Sequence, residues 1–287
     1  MSDILNNKKI IFIGNSFTYY GKTVIFKDYL VLEQEPRNND DGYFYQLCKL
    51  KGAEVSVTNW TFGNHRLEDT FGGYCQAGRP CDGVDHFSYL KDKCYDYVAI
   101  QESSRGEGDK IIGQIERIMK IFREVNPDVK FLYLVHENYH HNKRVDMLDK
   151  TKEIEKLGIT IVDWGNIVHD LIEHNTEIEN TKYTYNKNTF VITKSEKDGF
   201  HENMLAGYIT TLMTYCAITG EKAEGQPFEF ATDESLNKEF SVDTFLDMYY
   251  TYGDTKTDFP EIMKSEYDMR EIQKLVDKYL EEKPYRK

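Results

Sequence analysis

The chain has 287 residues, of which 40% are hydrophobic and 14% aromatic, so it has enough apolar material for a folded core and is not globally disordered. Its formal charge of −13 argues against nucleic acid or an anionic membrane surface as the main partner. A solvated acidic surface is the simplest explanation of the charge, and a preference for a neutral or cationic substrate is the weaker alternative. The sequence contains no run of about 20 apolar residues that would span a bilayer. Residues 1–7 lack the basic and apolar regions of a secretory signal, which predicts a cytoplasmic protein unless a leader has been removed.

Strand-like and helix-like patterns alternate along most of the chain. Strands are predicted over residues 10–13, 53–60, 95–101, 129–135 and 159–163; the first is a buried-type apolar run, and the second alternates apolar and polar residues. Helices are predicted over residues 43–51, 111–125, 144–157 and 201–220, with Gly158 and Gly220 ending the last two. Parallel neighbouring strands need a crossover connection. The alternation therefore predicts a three-layer α/β/α sandwich around a doubly wound, mostly parallel five-stranded sheet.

Three polar or glycine-containing insertions, residues 23–42, 72–93 and 173–197, follow predicted strand ends, where loops usually shape a binding site. The tail contains two further helical patterns, near residues 234–250 and 266–280. Neither a repeat nor a low-complexity linker separates this tail from the rest. We therefore predict one main domain over residues 1–225 and a C-terminal helical extension, residues 226–287, packed on the same domain.

The first strand ends on the small polar turn Gly14-Asn15-Ser16. In open α/β sheets ligands bind at the carboxyl ends of the strands, so Ser16 is a candidate nucleophile. A serine hydroxyl needs a base to remove its proton, and the base needs a group that fixes its tautomer. The later segment Asp198-Gly199-Phe200-His201 offers both, with His201 as the base and Asp198 as its partner.

A serine nucleophile also needs hydrogen-bond donors for the negative charge that develops on the substrate oxygen. The backbone N–H of Ser16 and that of Gly63, after the second strand, are candidates. The side-chain amide of Gln101, at the end of the third strand, is another, and Asn64 competes with it for this role.

Other interpretations of these residues remain open. A Gly-x-Ser turn after a strand also occurs in phosphate sites, although the lack of lysine between Ser16 and Lys22 does not support a P-loop. A helix cap explains Asp198 equally well when it is taken alone. Four residues are candidates for substrate contact, with a solvated loop as the alternative for each: His65, Arg105, His136 and Tyr139.

The cysteines give little sign of a metal centre. Unpaired thiols are expected, because the five cysteines show no paired CxxC spacing: Cys48, Cys75, Cys81, Cys94 and Cys216. A metal site among Cys75, Cys81 and Cys94 with His86 is conceivable, but we predict neither a metal nor a cofactor.

The order of these motifs resembles the SGNH (GDSL-like) hydrolase superfamily, in the bacterial branch with a GNSFT nucleophile block. The resemblance covers residues 8–225 and includes a YDYVAIQE-like third block and the later elements Gly207-Tyr208 and Ile218-Thr219-Gly220. It implies a flavodoxin-like fold, with Ser16 as nucleophile, His201 as base, Asp198 as its partner and Gly63 as an oxyanion donor. The third block departs from the family's Gly-x-Asn-Asp setting, since this chain has Gln101-Glu102-Ser103-Ser104.

The resemblance implies metal-independent hydrolysis of an ester through an acyl-enzyme, with deacetylation of a carbohydrate or small molecule as the leading form. An acyltransferase with the same triad is one alternative. A non-catalytic protein that binds a small ligand or carbohydrate is another. A small-molecule or carbohydrate ester is thus the expected partner, with neither nucleic acid nor membrane.

Overall fold

The computed structural model describes residues 3–24, 37–38, 42–62, 66–68, 74–76, 79–80, 94–102, 108–136, 144–173, 176–191, 201–232 and 258–286. The strands within these residues are β1 (Lys8–Asn15), β2 (Arg37–Asn38), β3 (Val55–Phe62), β4 (Tyr74–Gln76), β5 (Arg79–Pro80), β6 (Tyr97–Ile100), β7 (Lys130–Leu134) and β8 (Thr160–Val162). The α-helices are α1 (Ser16–Tyr19), α2 (Tyr43–Leu50), α3 (Gly108–Val125), α4 (Arg144–Glu155), α5 (Trp164–Ile172), α6 (Lys187–Phe190), α7 (Met204–Thr219), α8 (Phe259–Lys264) and α9 (Glu266–Glu282).

The main sheet has the order β2-β3-β1-β6-β7-β8. All pairs from β3 to β8 are parallel, and only the two-residue β2 runs antiparallel at one edge. The five predicted strands are the five parallel ones, so the predicted doubly wound sheet is confirmed. The strand β2 was not predicted, because two residues within a polar insertion carry no periodic signal. A separate pair, β4 and β5, lies within another of the insertions.

Helices cover both faces of the sheet, which is why β1 is a nearly continuous apolar run. Ile10 and Phe12 point to the face covered by α2 and α7, where the rings of Phe12 and Phe44 lie 5.4 Å apart. Ile11 and Ile13 point to the opposite face, which α3 and α4 cover. The central strand is thereby held from both sides, and its carboxyl end is a rigid platform.

The helix α7 begins three residues later than the sequence pattern predicts. Asn203 caps it, since its side-chain oxygen accepts hydrogen bonds from the N–H groups of Leu205 and Ala206, at 3.0 and 3.2 Å. His201 therefore lies in the bend before the helix and not in its first turn. Gly220, with φ of +71°, ends the helix in the left-handed conformation as predicted.

The C-terminal helix α9 packs onto the face of the sheet that α7 covers. Met269, Ile272 and Val276 are buried in the same apolar cluster as α7, and Gln273 donates from Nε2 to the hydroxyl of Tyr208 at 2.8 Å. The helical pattern near residues 234–250 lies outside the described residues, and the boundary at residue 225 stays a prediction. Among the helices described, none is both long and apolar enough to cross a membrane.

Candidate active site

The candidate nucleophile lies where the central strand ends. Strand β1 is flanked by β3 and β6, and α1 begins at Ser16 directly after it. Asn15 caps this short helix, since its side-chain oxygen accepts a hydrogen bond from the N–H of Phe17 at 3.1 Å. Ser16 is thus held at the carboxyl edge of the sheet, on a turn that the cap keeps tight.

The structure brings Ser16 and His201 together across 185 residues of sequence. The Nε2 atom of His201 lies 2.9 Å from the Oγ of Ser16, which is hydrogen-bond distance. Ser16 is 8% exposed and His201 is half-buried. A hydroxyl and an imidazole in this arrangement can exchange a proton directly when the hydroxyl attacks an electrophile.

The segment that carries His201 is fixed by its neighbours. Glu202 forms an antiparallel bridge with Val191. Asn203 donates from its backbone to the carbonyl of Phe190 at 2.9 Å and from its side chain to the carbonyl of Thr189 at 2.7 Å. The imidazole is therefore anchored on one side by α6 and on the other by the start of α7.

A close backbone contact joins the two halves of the site. Gly21 follows α1, and Gly207 lies in the first turn of α7. A Cβ atom on Gly207 would lie 1.5 Å from the carbonyl oxygen of Gly21, so only glycine fits there. Thr23 adds a hydrogen bond from its hydroxyl to the carbonyl of Gly207 at 3.3 Å.

Aromatic rings surround the base. The rings of Tyr20 and Phe17 lie 4.2 and 5.5 Å from that of His201. His136, which follows β7, stacks on Phe17, with the two ring centroids 4.2 Å apart. Burial, and secondly the charge of His201, lowers the pKa of His136 to about 3, so this imidazole is neutral near pH 7.

Gln101 also lies at this edge of the sheet, and its side chain is hydrogen-bonded within the protein. Its side-chain oxygen accepts hydrogen bonds from the N–H of Asn15 and the hydroxyl of Thr18, both at 3.2 Å. Its Nε2 donates to the carbonyl of Glu102. Donation from Gln101 to a substrate oxygen stays a prediction, because the amide is engaged within the protein in this structure.

The other predicted site residues lie outside the described residues. These are Asp198, Gly63, Asn64, His65, Arg105 and Tyr139, together with Cys81 and His86. Their roles stay predictions. The sequence pattern did not single out Thr18, Phe17 or Tyr20, although the motif Ser16-Phe17-Thr18 already placed two of them beside the nucleophile. A fourth missed residue, Glu202, adjoins the base directly.

Neither a protein-family model nor a curated protein sequence matches the chain. Among solved structures, a proposed GDSL-like lipase from Parabacteroides merdae is similar, with 11% identity, a TM-score of 0.48 and coverage of 75% of this chain and 96% of that one. The acetylxylan esterase Axe2 from Geobacillus stearothermophilus has 13% identity, a TM-score of 0.48 and coverage of 77% and 97%. A family 3 carbohydrate esterase from Clostridium thermocellum has 11% identity, a TM-score of 0.44 and coverage of 73% and 94%. At these TM-scores the likeness assigns no role to any residue of this chain.

Glu202 is a buried carboxyl group beside the base. It is 3% exposed, and within the part of the chain that the structure describes neither of its side-chain oxygens has a hydrogen-bond partner. One of these oxygens lies near Gly21, where a Cβ would approach it to 2.9 Å. Burial raises the pKa of Glu202 well above its usual value, because it disfavours the charged carboxylate.

The variant Glu202→Gln is expected to be more stable than the wild type near neutral pH. Below about pH 4.5 the carboxyl is protonated in both the folded and the unfolded chain, so the two proteins should have similar free energies of unfolding. Between that pH and the raised pKa of the folded chain, the unfolded chain ionises while the folded chain stays protonated, which destabilises the wild type by up to about 1.4 kcal/mol per pH unit. Urea unfolding at a series of pH values measures this difference, and a difference that is constant with pH would contradict it.

Proposed function

We propose that this protein is a serine ester hydrolase that works through an acyl-enzyme on Ser16. The observation that carries the proposal is the 2.9 Å contact between the Oγ of Ser16 and the Nε2 of His201. This contact lies at the carboxyl end of the central strand of a parallel sheet, which is the usual place for a site in this kind of fold.

In the proposed reaction, the Oγ of Ser16 attacks the ester carbonyl while Nε2 of His201 takes the hydroxyl proton. The tetrahedral intermediate collapses as the imidazolium returns that proton to the leaving alkoxide oxygen, which leaves an acyl group on Ser16. A water molecule then attacks the acyl-enzyme, with His201 again as base, and releases the acid and the free serine. Asp198 is proposed to accept from Nδ1 of His201.

The negative charge on the tetrahedral oxygen requires donors in the protein. The N–H groups of Ser16 and Gly63 are proposed for this role, as the sequence predicts. Losing one such donor typically costs about 10²–10³ in rate. A neutral His136 adds no charge beside the base, and its stacking on Phe17 makes it a wall of the proposed site.

The proposed substrate is an ester with a short acyl group, such as an acetyl group, on a carbohydrate or small molecule. The rings of Phe17 and Tyr20 lie close to the base and restrict the space beside it, which favours a small acyl group. The net charge of −13 favours a substrate without negative charge. His65, Arg105, His136 and Tyr139 are the residues proposed to contact it.

A fluorophosphonate probe is expected to label the protein at one position, Ser16. The probe carries an electrophilic phosphorus that reacts with a serine only when a neighbouring base activates it. Mass spectrometry of the labelled protein should show one added phosphonyl group, mapped by peptide sequencing to residue 16. The exposed Ser56 on β3 provides an internal control and should stay unlabelled. Folded protein that takes up no probe would contradict the proposed function.

A further inference from the structure

The side-chain oxygen of Gln101 accepts hydrogen bonds from residues on both sides of Ser16. The Oε1 of Gln101 accepts a hydrogen bond from the backbone of Asn15, the residue before the nucleophile, at 3.2 Å. The same atom accepts a hydrogen bond from the hydroxyl of Thr18, two residues after it, also at 3.2 Å. Gln101 thus holds the ends of the segment whose middle carries Ser16.

The side chain of Gln101 is itself fixed by its surroundings. Gln101 is 2% exposed, and its backbone N–H donates to the carbonyl of Ile13 at 2.8 Å. Its Nε2 donates to the carbonyl of Glu102. Gly14 makes the approach possible, because a Cβ on that residue would lie 2.9 Å from Oε1 of Gln101. The amide can neither rotate nor withdraw without breaking several contacts.

We infer that Gln101 is a positioning residue, which acts through its oxygen on the nucleophile turn and not through its N–H on the substrate. The inference rests on the proposed function, since it concerns the placement of Ser16 against His201. One bond holds the backbone N–H of the residue before Ser16, and the other holds the Thr18 side chain two residues after it. Misplacing a reacting atom by about 1 Å can lower a rate 10²-fold. Glutamine at this position thus performs a task different from oxyanion donation.

The variant Gln101→Met is expected to lower kcat for p-nitrophenyl acetate about 10²-fold with an unchanged KM. Methionine keeps the side-chain volume but removes the hydrogen bonds that Oε1 accepts from Asn15 and Thr18. Gln273→Met is the matched control. Gln273 is also fully buried and hydrogen-bonded at both ends of its amide, but it lies on α9, against Tyr208 and Gln226. This control should lose stability to a similar extent and keep kcat within about twofold of the wild type.

The variant Gln101→Glu separates the two roles of the side chain. A glutamate keeps an oxygen that accepts from Asn15 and Thr18, but its charge opposes the negative charge of the transition state. If Gln101 acts by position, Gln101→Glu should retain more activity than Gln101→Met. If it donates to the oxyanion, Gln101→Glu should be the less active of the two, and the inference is overturned.

A double-mutant cycle with Thr18→Val supplies an independent test. Valine has the shape of threonine without its hydroxyl, so this variant removes one of the two bonds to Oε1, and its own kcat tests the inference without Gln101→Met. We expect Thr18→Val to lower kcat about 10-fold in the wild-type background and to have little further effect in the Gln101→Met background. Additive losses, or a Thr18→Val variant with wild-type kcat, would count against the inference.

The outcome for Ser16→Ala distinguishes a failure of this inference from a failure of the proposed function. If Ser16→Ala is inactive while Gln101→Met and Thr18→Val keep their activity, only the role of Gln101 is refuted. If Ser16→Ala keeps its activity, the serine mechanism and the inference both fail.

Discussion

The variant Ser16→Ala is expected to lose about 10⁵-fold in kcat for a chromogenic acetyl ester while it keeps the wild-type fold. The substitution removes only the hydroxyl oxygen that lies 2.9 Å from His201, and alanine fits the short helix α1 at least as well as serine. Initial rates at saturating substrate measure the loss, and circular dichroism checks the fold. Ser56→Ala, on the exposed side of β3, is the matched control and should have wild-type rates.

The same hypothesis predicts how two losses combine. His201→Gln should lower kcat by a similar factor, because without the base the hydroxyl of Ser16 is a weak nucleophile near neutral pH. Since the two groups act as a unit, the double variant should be no slower than either single variant by more than a few-fold. Losses that multiply, or a Ser16→Ala variant with more than a tenth of wild-type kcat, would mean that the two residues do not share one step.

Much of the fold was predictable because its signals are local. The apolar run of β1 and the helical spacing of α3 each lie within one stretch of sequence, and Gly220 marks a helix end through its own backbone preference. The start of α7 was predicted three residues early. The apolar spacing predicts a start at residue 201. The capping residue Asn203 marks the observed start at Met204.

The pairing of Ser16 with His201 follows from the position of Ser16 at a strand end and from the need of a serine nucleophile for a base. The structure brings the two side chains within hydrogen-bond distance. The contacts of Gln101 were not predictable in this way, because they depend on a side-chain conformation and on the close approach that Gly14 permits. The sequence specifies which hydrogen-bonding groups a site contains, but not which of them are bonded within the protein.

The burial of Glu202 shows a second limit of the sequence. An acidic residue next to a predicted base is most simply expected to face solvent or to pair with a cation. In the structure its backbone bridges to Val191 and its side chain lies against the Gly21 backbone, away from water. The side that a residue faces at such a junction depends on the packing of distant segments, which no local pattern encodes.

The backbone contact between Gly21 and Gly207 is expected to make Gly207→Ala a severe change. The added Cβ would lie 1.5 Å from the carbonyl oxygen and 2.2 Å from the carbonyl carbon of Gly21, so the two backbones must separate. Overpacking in a well-packed region costs about 1–3 kcal/mol, and a clash with backbone lies at or above the upper end of that range. Urea unfolding should show a loss of at least about 3 kcal/mol.

Gly113→Ala is the control for the same substitution in a helix. Apart from its chain neighbours and its own helix backbone, no atom of the described residues lies within 4 Å of a Cβ at Gly113. This glycine is exposed on α3, so alanine there should raise the free energy of unfolding by about 0.5–1 kcal/mol. For Gly207→Ala, the separation also moves the segment after Ser16 away from the helix after His201. The kcat of the folded variant should therefore be lower than that of the wild type, in addition to the loss in the free energy of unfolding. A Gly207→Ala protein with the wild-type urea midpoint would show that the backbones of Gly21 and Gly207 separate at little cost. Their contact would then not hold Ser16 and His201 in place.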